Sequence, residues 1–100
     1  MELPIKNYCI NHRSFSLEVA NYGTANGPIC LQVWGDEGPE ARLTINLPDF
    51  RLSKGEIFTK QSEITWNRPH LQAIGFENTG RVVNYGHFDA MAEVWKIKQK

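Results

Sequence analysis

The stretch SFSLEVA at residues 14–20 decides the fold class: Phe15, Leu17 and Val19 alternate with Ser14, Ser16, Glu18 and Ala20. A two-residue period of this kind marks a strand with one buried face. Two further runs repeat it. Ile29, Leu31 and Val33 alternate with Cys30, Gln32 and Trp34, and Leu43, Ile45 and Leu47 alternate with Arg42, Thr44 and Asn46. Between them lie Asn21-Tyr22-Gly23-Thr24-Ala25-Asn26-Gly27 and Gly35-Asp36-Glu37-Gly38-Pro39, clusters of the residues that turns select. An antiparallel meander over residues 14–47 follows.

Outward from it, Ile5 to Ile10 reads as a first strand, joined through an Asn11-His12-Arg13 turn that sets Cys9 and Ile10 against Phe15. Pro48-Asp49 ends the fourth strand, since proline cannot donate to a ladder. Glu56 to Lys60 reads as a short fifth strand entered through Lys54-Gly55. Asn67 is placed to cap a short helix with Pro69 in its first turn. Leu71, Ile74 and Phe76 supply its apolar stripe, and Gly75 ends it. Asn78-Thr79-Gly80 then turns into Arg81-Val82-Val83, and Tyr85-Gly86 turns into a last strand. There Met91, Glu93, Trp95 and Ile97 share one face and Ala92 and Val94 the other, the pattern of a central or partner-covered strand. The expected fold class is α+β: a single β-rich domain over residues 1–100, with an antiparallel sheet of five to seven strands (meander and hairpins) and one short α-helix.

The chain has 100 residues, 41% of them hydrophobic, which suits one small soluble domain. Eleven Lys+Arg balance eleven Asp+Glu, so the excess of cations needed to wrap duplex nucleic acid is missing. The balance is uneven along the chain. Residues 1–50 carry three basic against six acidic side chains, and residues 51–100 carry eight against five, leaving a dipolar surface open. Cys9 and Cys30 have no C-x-x-C spacing and sit among apolar neighbours, as buried thiols do. No apolar run approaches the ~20 residues of a membrane span, and Met1-Glu2-Leu3-Pro4 has no leader character. The expectation is a cytoplasmic protein with reduced thiols and no membrane partner.

No motif declares a chemistry. His12, His70 and His87 stand far apart in sequence and lack metal-ligand spacing, although His70 and His87 with Glu77 or Asp89 can meet in space. There is no nucleophile elbow, Walker loop or dinucleotide fingerprint. Neither catalysis nor a metal nor a cofactor is expected. The aromatics say more. Trp34 falls on the polar side of its strand, and Trp66 sits beside Asn67, Arg68 and His70. Each is either covered by a second layer or an interface anchor, because Trp and Arg are typical anchors. Trp34, Trp66, Arg68 and His70 are therefore the candidate protein-binding residues. The alternative is a single-stranded nucleic-acid platform, which needs basic residues beside aromatics. Arg51, Lys54 and Arg81, with Lys60 and Arg68, are its candidates. An unpaired first or last strand leaves self-association open.

The succession Asn26-Gly27, Leu43-Thr44-Ile45-Asn46-Leu47-Pro48-Asp49, Glu56-Ile57-Phe58-Thr59-Lys60, Ser62-Glu63, Leu71-Gln72-Ala73-Ile74-Gly75 and Thr79-Gly80-Arg81-Val82 resembles a family of short bacterial proteins of unknown function. That family is carried on conjugative and integrated mobile elements of gut bacteria. The resemblance spans residues 26–86 and departs from the family at Trp66-Asn67-Arg68-Pro69, where an acidic, glycine-containing loop is expected. It implies no catalytic residue. It implies an accessory protein of a mobile genetic element, acting stoichiometrically on a host defence enzyme in the manner of an anti-CRISPR or antirestriction inhibitor.

Overall fold

A two-residue turn, Asn11-His12, joins strand β1 (Asn7–Ile10) to β2 (Arg13–Asn21), with Ile10 opposite Arg13. Both turn residues have positive φ, +50° and +68°, as the tightest hairpin turns require. The turn is one residue shorter than the sequence suggested. Tyr8, rather than Cys9 or Ile10, therefore stands opposite Phe15, and Cys9 stands opposite Ser14. Residues 6–23, 28–86 and 90–98 are described in this computed structural model. His87 and Asp89, half of the possible metal cluster, lie outside them, as does Asn26-Gly27.

β2 continues into β3 (Ile29–Gly35) and β4 (Gly38–Arg42), completing a four-stranded antiparallel sheet in the order β1-β2-β3-β4. The fourth strand was expected over 42–47 and lies earlier instead. Its Pro39 is tolerated because β4 is an edge. The following residues keep the alternation of a strand without its ladder because the chain there crosses between sheets. Leu43 donates its N–H to the Leu31 carbonyl of β3 (2.9 Å), and Ile45 donates to the Phe58 carbonyl of β5 (3.0 Å).

The second sheet has the order β5-β7-β6, from β5 (Glu56–Lys60), β6 (Phe76–Asn84) and β7 (Met91–Ile97), again antiparallel. The expected single sheet is thus two sheets, of four and three strands. β7 is the central strand its two-faced pattern suggested, so of the two terminal strands only β1 is an edge. The anticipated turn at Asn78-Thr79-Gly80 is a bulge within β6. There Gly80 takes φ +86°, and the Thr79 hydroxyl donates to the Val94 carbonyl at 2.8 Å.

A 3₁₀ turn (Gln61–Glu63) leads into helix α1 (Ile64–Ala73), which starts three residues before the expected cap. Asn67 is not a cap. It is buried in mid-helix and donates to the Thr59 hydroxyl at 3.2 Å. Gly75, with φ +98°, ends the helix as expected. A helix of ten residues is marginal alone, and its buried Leu71, with Ile74 just past its end, holds it.

Those two side chains pack with Phe15, Leu17, Leu31 and Val33 of the first sheet and Ile57, Phe76 and Trp95 of the second. At about 1.5–3 kcal/mol per fully buried aliphatic or Phe side chain, this cluster is the main source of stability. The other face of the second sheet carries a smaller cluster, Phe58, Ala92 and Val94, covered by Ile45, Leu47 and Leu52. Among the described residues no helix is long and apolar enough to cross a membrane.

Candidate functional site

Helix α1 lies with one edge along the β1–β2 hairpin, and a groove of about 370 Å³ opens between them. Its helical side is Trp66, Pro69 and His70, and its sheet side includes Arg13, Phe15 and Glu40. Trp66 is 74% exposed, the most open of the large hydrophobic side chains described. The Arg13 guanidinium sits 5.0 Å from the centre of the Phe15 ring, a cation–π contact. It also reaches the Glu40 carboxylate at 3.3 Å. A hydrophobic floor thus lies beside a half-open ion pair.

His70 closes the inner end. Its ring stands edge-on to Phe15, 4.8 Å between centres, and to Tyr8, 5.7 Å. The Tyr8 hydroxyl and His70 Nδ1 are 2.7 Å apart. Burial holds the His70 imidazole below its ordinary pKa. The Glu40 carboxylate pulls it back up, and Arg13 adds to the depression. Burial, and secondarily Glu40, pushes the Tyr8 phenol well above the ordinary tyrosine value. Both rings are therefore neutral near pH 7, and the groove's formal charge is the balanced Arg13–Glu40 pair.

Three departures from local rules meet at this groove. Proline is among the least favourable residues inside a helix, yet Pro69 lies within α1. Having no N–H, it leaves the Thr65 carbonyl without its helical donor, and Thr65 lines the groove. At the groove's other end, beside Asn11, the hairpin turn puts His12 at positive φ where glycine is the usual residue. Finally, a fully formed tryptophan is left in water. Such departures gather at sites that do something other than fold.

The structure distributes the sequence candidates over different surfaces. Trp66 and His70, four residues apart, share a helix face, but His70 is only 9% exposed and stands behind the surface. It is a wall of the groove rather than an exposed contact, because the stripe Asn67-His70-Leu71 is the buried face of α1. Arg68 is exposed and points about 200° around the helix from Trp66. Trp34 is on the outer face of the four-stranded sheet, with Ser14 and Ser16 beside it, and its indole donates to Glu18 at 3.2 Å. Helix α1 covers the opposite face, so Trp34 remains 38% exposed.

Arg51 and Lys54 are exposed on the 43–55 connection. Arg81 reaches across to the buried Glu56 carboxylate. Glu56 is held below the usual carboxylate pKa by the Ser53 N–H first, and by Arg81. Among the described residues no three His, Cys, Asp or Glu side chains come together as metal ligands.

Sequence reasoning missed Arg13, Phe15, Glu40 and the placement of Pro69. The one available signal was the Ile64–Leu71 spacing of seven, which puts both on one helix face and Pro69 between them as an interior position. The groove offers a ligand an indole face, a cation stacked on a ring and a carboxylate. No family model, curated protein or solved structure matches the chain, so the reading of this groove rests on its own residues.

Proposed function

We propose that the chain is a non-catalytic protein-binding protein, which receives a projecting side chain or short loop of a partner in the α1–hairpin groove, with Trp66 as the anchor. The observation that carries this reading is the 74% exposure of Trp66 beside a ready apolar floor. Large aromatics at the centre of a patch carry much of the energy of protein interfaces. A standard interface takes about 800 Å² from each partner, a modest share of the 6760 Å² of accessible surface here. The resemblance to mobile-element proteins supplies the context. In its sharpest form the partner is a host defence nuclease, a restriction or CRISPR effector, inhibited by stoichiometric binding.

The test is titration of the purified chain into a reaction of the nuclease it captures. One equivalent is expected to abolish cleavage, and the Trp66→Ala variant is expected to leave it intact. Cleavage that persists at excess chain rejects inhibition and leaves binding alone.

A second reading, single-stranded nucleic-acid binding, has one observation in its favour. Phe50, 36% exposed, adjoins Arg51 and lines the same cleft as Lys54, a ring among cations. Against it, Arg81 is already paired with Glu56.

A further inference from the structure

A separate cleft of about 710 Å³ shares no lining residue with the Trp66 groove. It opens where the chain crosses from the first sheet to the second. One wall is the connection over residues 43–55, thirteen residues without helix or strand, a length at which connections in small domains are uncommon and usually functional. This connection is firmly anchored. Leu43 and Thr44 are buried, the Thr44 hydroxyl accepts from Leu31 N–H at 3.1 Å, and the Thr44 carbonyl accepts from the Tyr22 hydroxyl at 3.1 Å.

The cleft has a mixed lining, in which Tyr22, Asn46 and Ser53 stand among apolar side chains and Lys54 is exposed. Ile45, Leu47 and Phe58 line it, and Phe50 stands edge-on to Phe58 with 6.2 Å between ring centres. Phe50 itself remains 36% exposed. The two charged residues of the lining differ in availability. Glu56 is already satisfied, by the Ser53 N–H at 2.8 Å and by Arg81. Lys54 is exposed and makes no ion pair among the described residues. Asp49 lies on the same connection but does not line the cleft. The cleft therefore combines the Phe50 and Phe58 rings, uncharged polar groups and one uncommitted positive charge, within the volume range of small-molecule sites.

We infer that this cleft binds a small aromatic anion, a flat ring lying against Phe50 with its carboxylate or phosphate held by Lys54. Ring–ring contact supplies affinity beyond area burial, and the ammonium supplies orientation as well as charge. The inference is independent of the Trp66 groove and stands or falls separately from it.

The experiment is a titration of the ¹⁵N-labelled full chain with indole-3-acetate, its neutral amide and adenosine monophosphate, followed by amide shifts. Saturable shifts concentrated at Ile45, Phe50, Lys54 and Phe58 are expected. Lys54→Ala is expected to weaken the acid about tenfold while leaving the amide unchanged. Phe50→Ala is expected to weaken both. Saturation by indole-3-acetate alone identifies a carboxylate ligand, by the nucleotide alone a phosphate ligand, and either outcome supports the inference. Shifts that do not saturate, shifts scattered over the surface, or equal affinity for acid and amide overturn it. Binding of a single-stranded oligonucleotide with neither small anion binding also overturns it, in favour of a nucleic-acid surface.

Discussion

Tyr8 and His70, sixty-two residues apart in the chain, meet through a 2.7 Å hydrogen bond. Together with Phe15 they form the aromatic wall that joins helix α1 to the edge strand β1. This bond makes the inner end of the Trp66 groove a property of the whole fold. Disturbing it changes both stability and the shape of the site.

The pair gives the chain a definite pH response. Burial lowers the His70 pKa in the folded state from its ordinary 6.5, so the unfolded chain takes up this proton more readily. Stability from the neutral imidazole is fully present above about pH 6.5 and declines as pH falls towards the folded pKa. Thermal midpoints measured from pH 8 to pH 5 are expected to fall, and His70→Phe is expected to flatten the fall. Tyr8→Phe, which strands one buried ring nitrogen, is expected to cost about 1–3 kcal/mol at pH 7.5 by urea denaturation.

Trp66 and Trp95 are expected to answer substitution in opposite ways. Trp66 is 74% exposed, whereas Trp95 is 2% exposed and its indole donates to Glu93 at 3.0 Å. Trp66→Ala is expected to change stability by no more than about 0.5 kcal/mol, as at other surface positions. Trp95→Ala is expected to cost about 3–5 kcal/mol through the cavity it leaves. Chemical denaturation of the two variants checks both values.

The Arg81–Glu56 pair is half buried, with side-chain exposures of 55% and 8%. Arg81→Ala leaves the carboxylate its Ser53 N–H and no direct cation, at an expected cost of about 1–2 kcal/mol near neutral pH. Glu56 has a folded pKa below its ordinary 4.5. Its contribution is present above about pH 4.5 and is lost as pH falls through the folded value. The difference between wild type and Arg81→Ala is therefore expected to shrink in acid, as paired denaturation curves at pH 7 and pH 3 will show.

Relieving either backbone departure beside the groove is expected to raise stability. His12 holds φ +68°. His12→Gly removes about 1–2 kcal/mol of steric cost against a smaller entropic loss in the unfolded chain, a net gain of about 0.5 kcal/mol. Pro69→Ala restores a donor to the Thr65 carbonyl and is expected to stabilise the helix by about 1 kcal/mol or more. Under the proposed function the same change weakens partner binding, because it removes the rigid ring from the groove. A calorimetric midpoint and a binding measurement on each variant check the pair.

The alternation of Phe15, Leu17 and Val19 and of Ile29, Leu31 and Val33 made the β2–β3 pair legible, and the doubly apolar β7 announced its central place. The division into two sheets was not legible. Leu43 and Ile45 alternate like a strand whether they bond to one neighbour or, as here, to two strands of different sheets. The helix boundary was missed because Asn67 and Pro69 both favour a start. Only the Thr59 hydroxyl across the core explains an asparagine in mid-helix. At the site, Trp66 was visible as an isolated aromatic among polar residues. Arg13, Phe15 and Glu40 come to it from two strands, and such long-range juxtaposition leaves no local mark in sequence.

The most direct test of the Trp66 groove is capture from a lysate of the host with nuclease present, comparing the wild-type chain with Trp66→Ala and Trp34→Ala. The account requires a stoichiometric protein partner that survives nuclease and is retained by Trp34→Ala. It requires the same partner to be lost from Trp66→Ala, whose thermal midpoint is unchanged. Equal capture by Trp66→Ala, or partners that disappear when nucleic acid is digested, contradicts it.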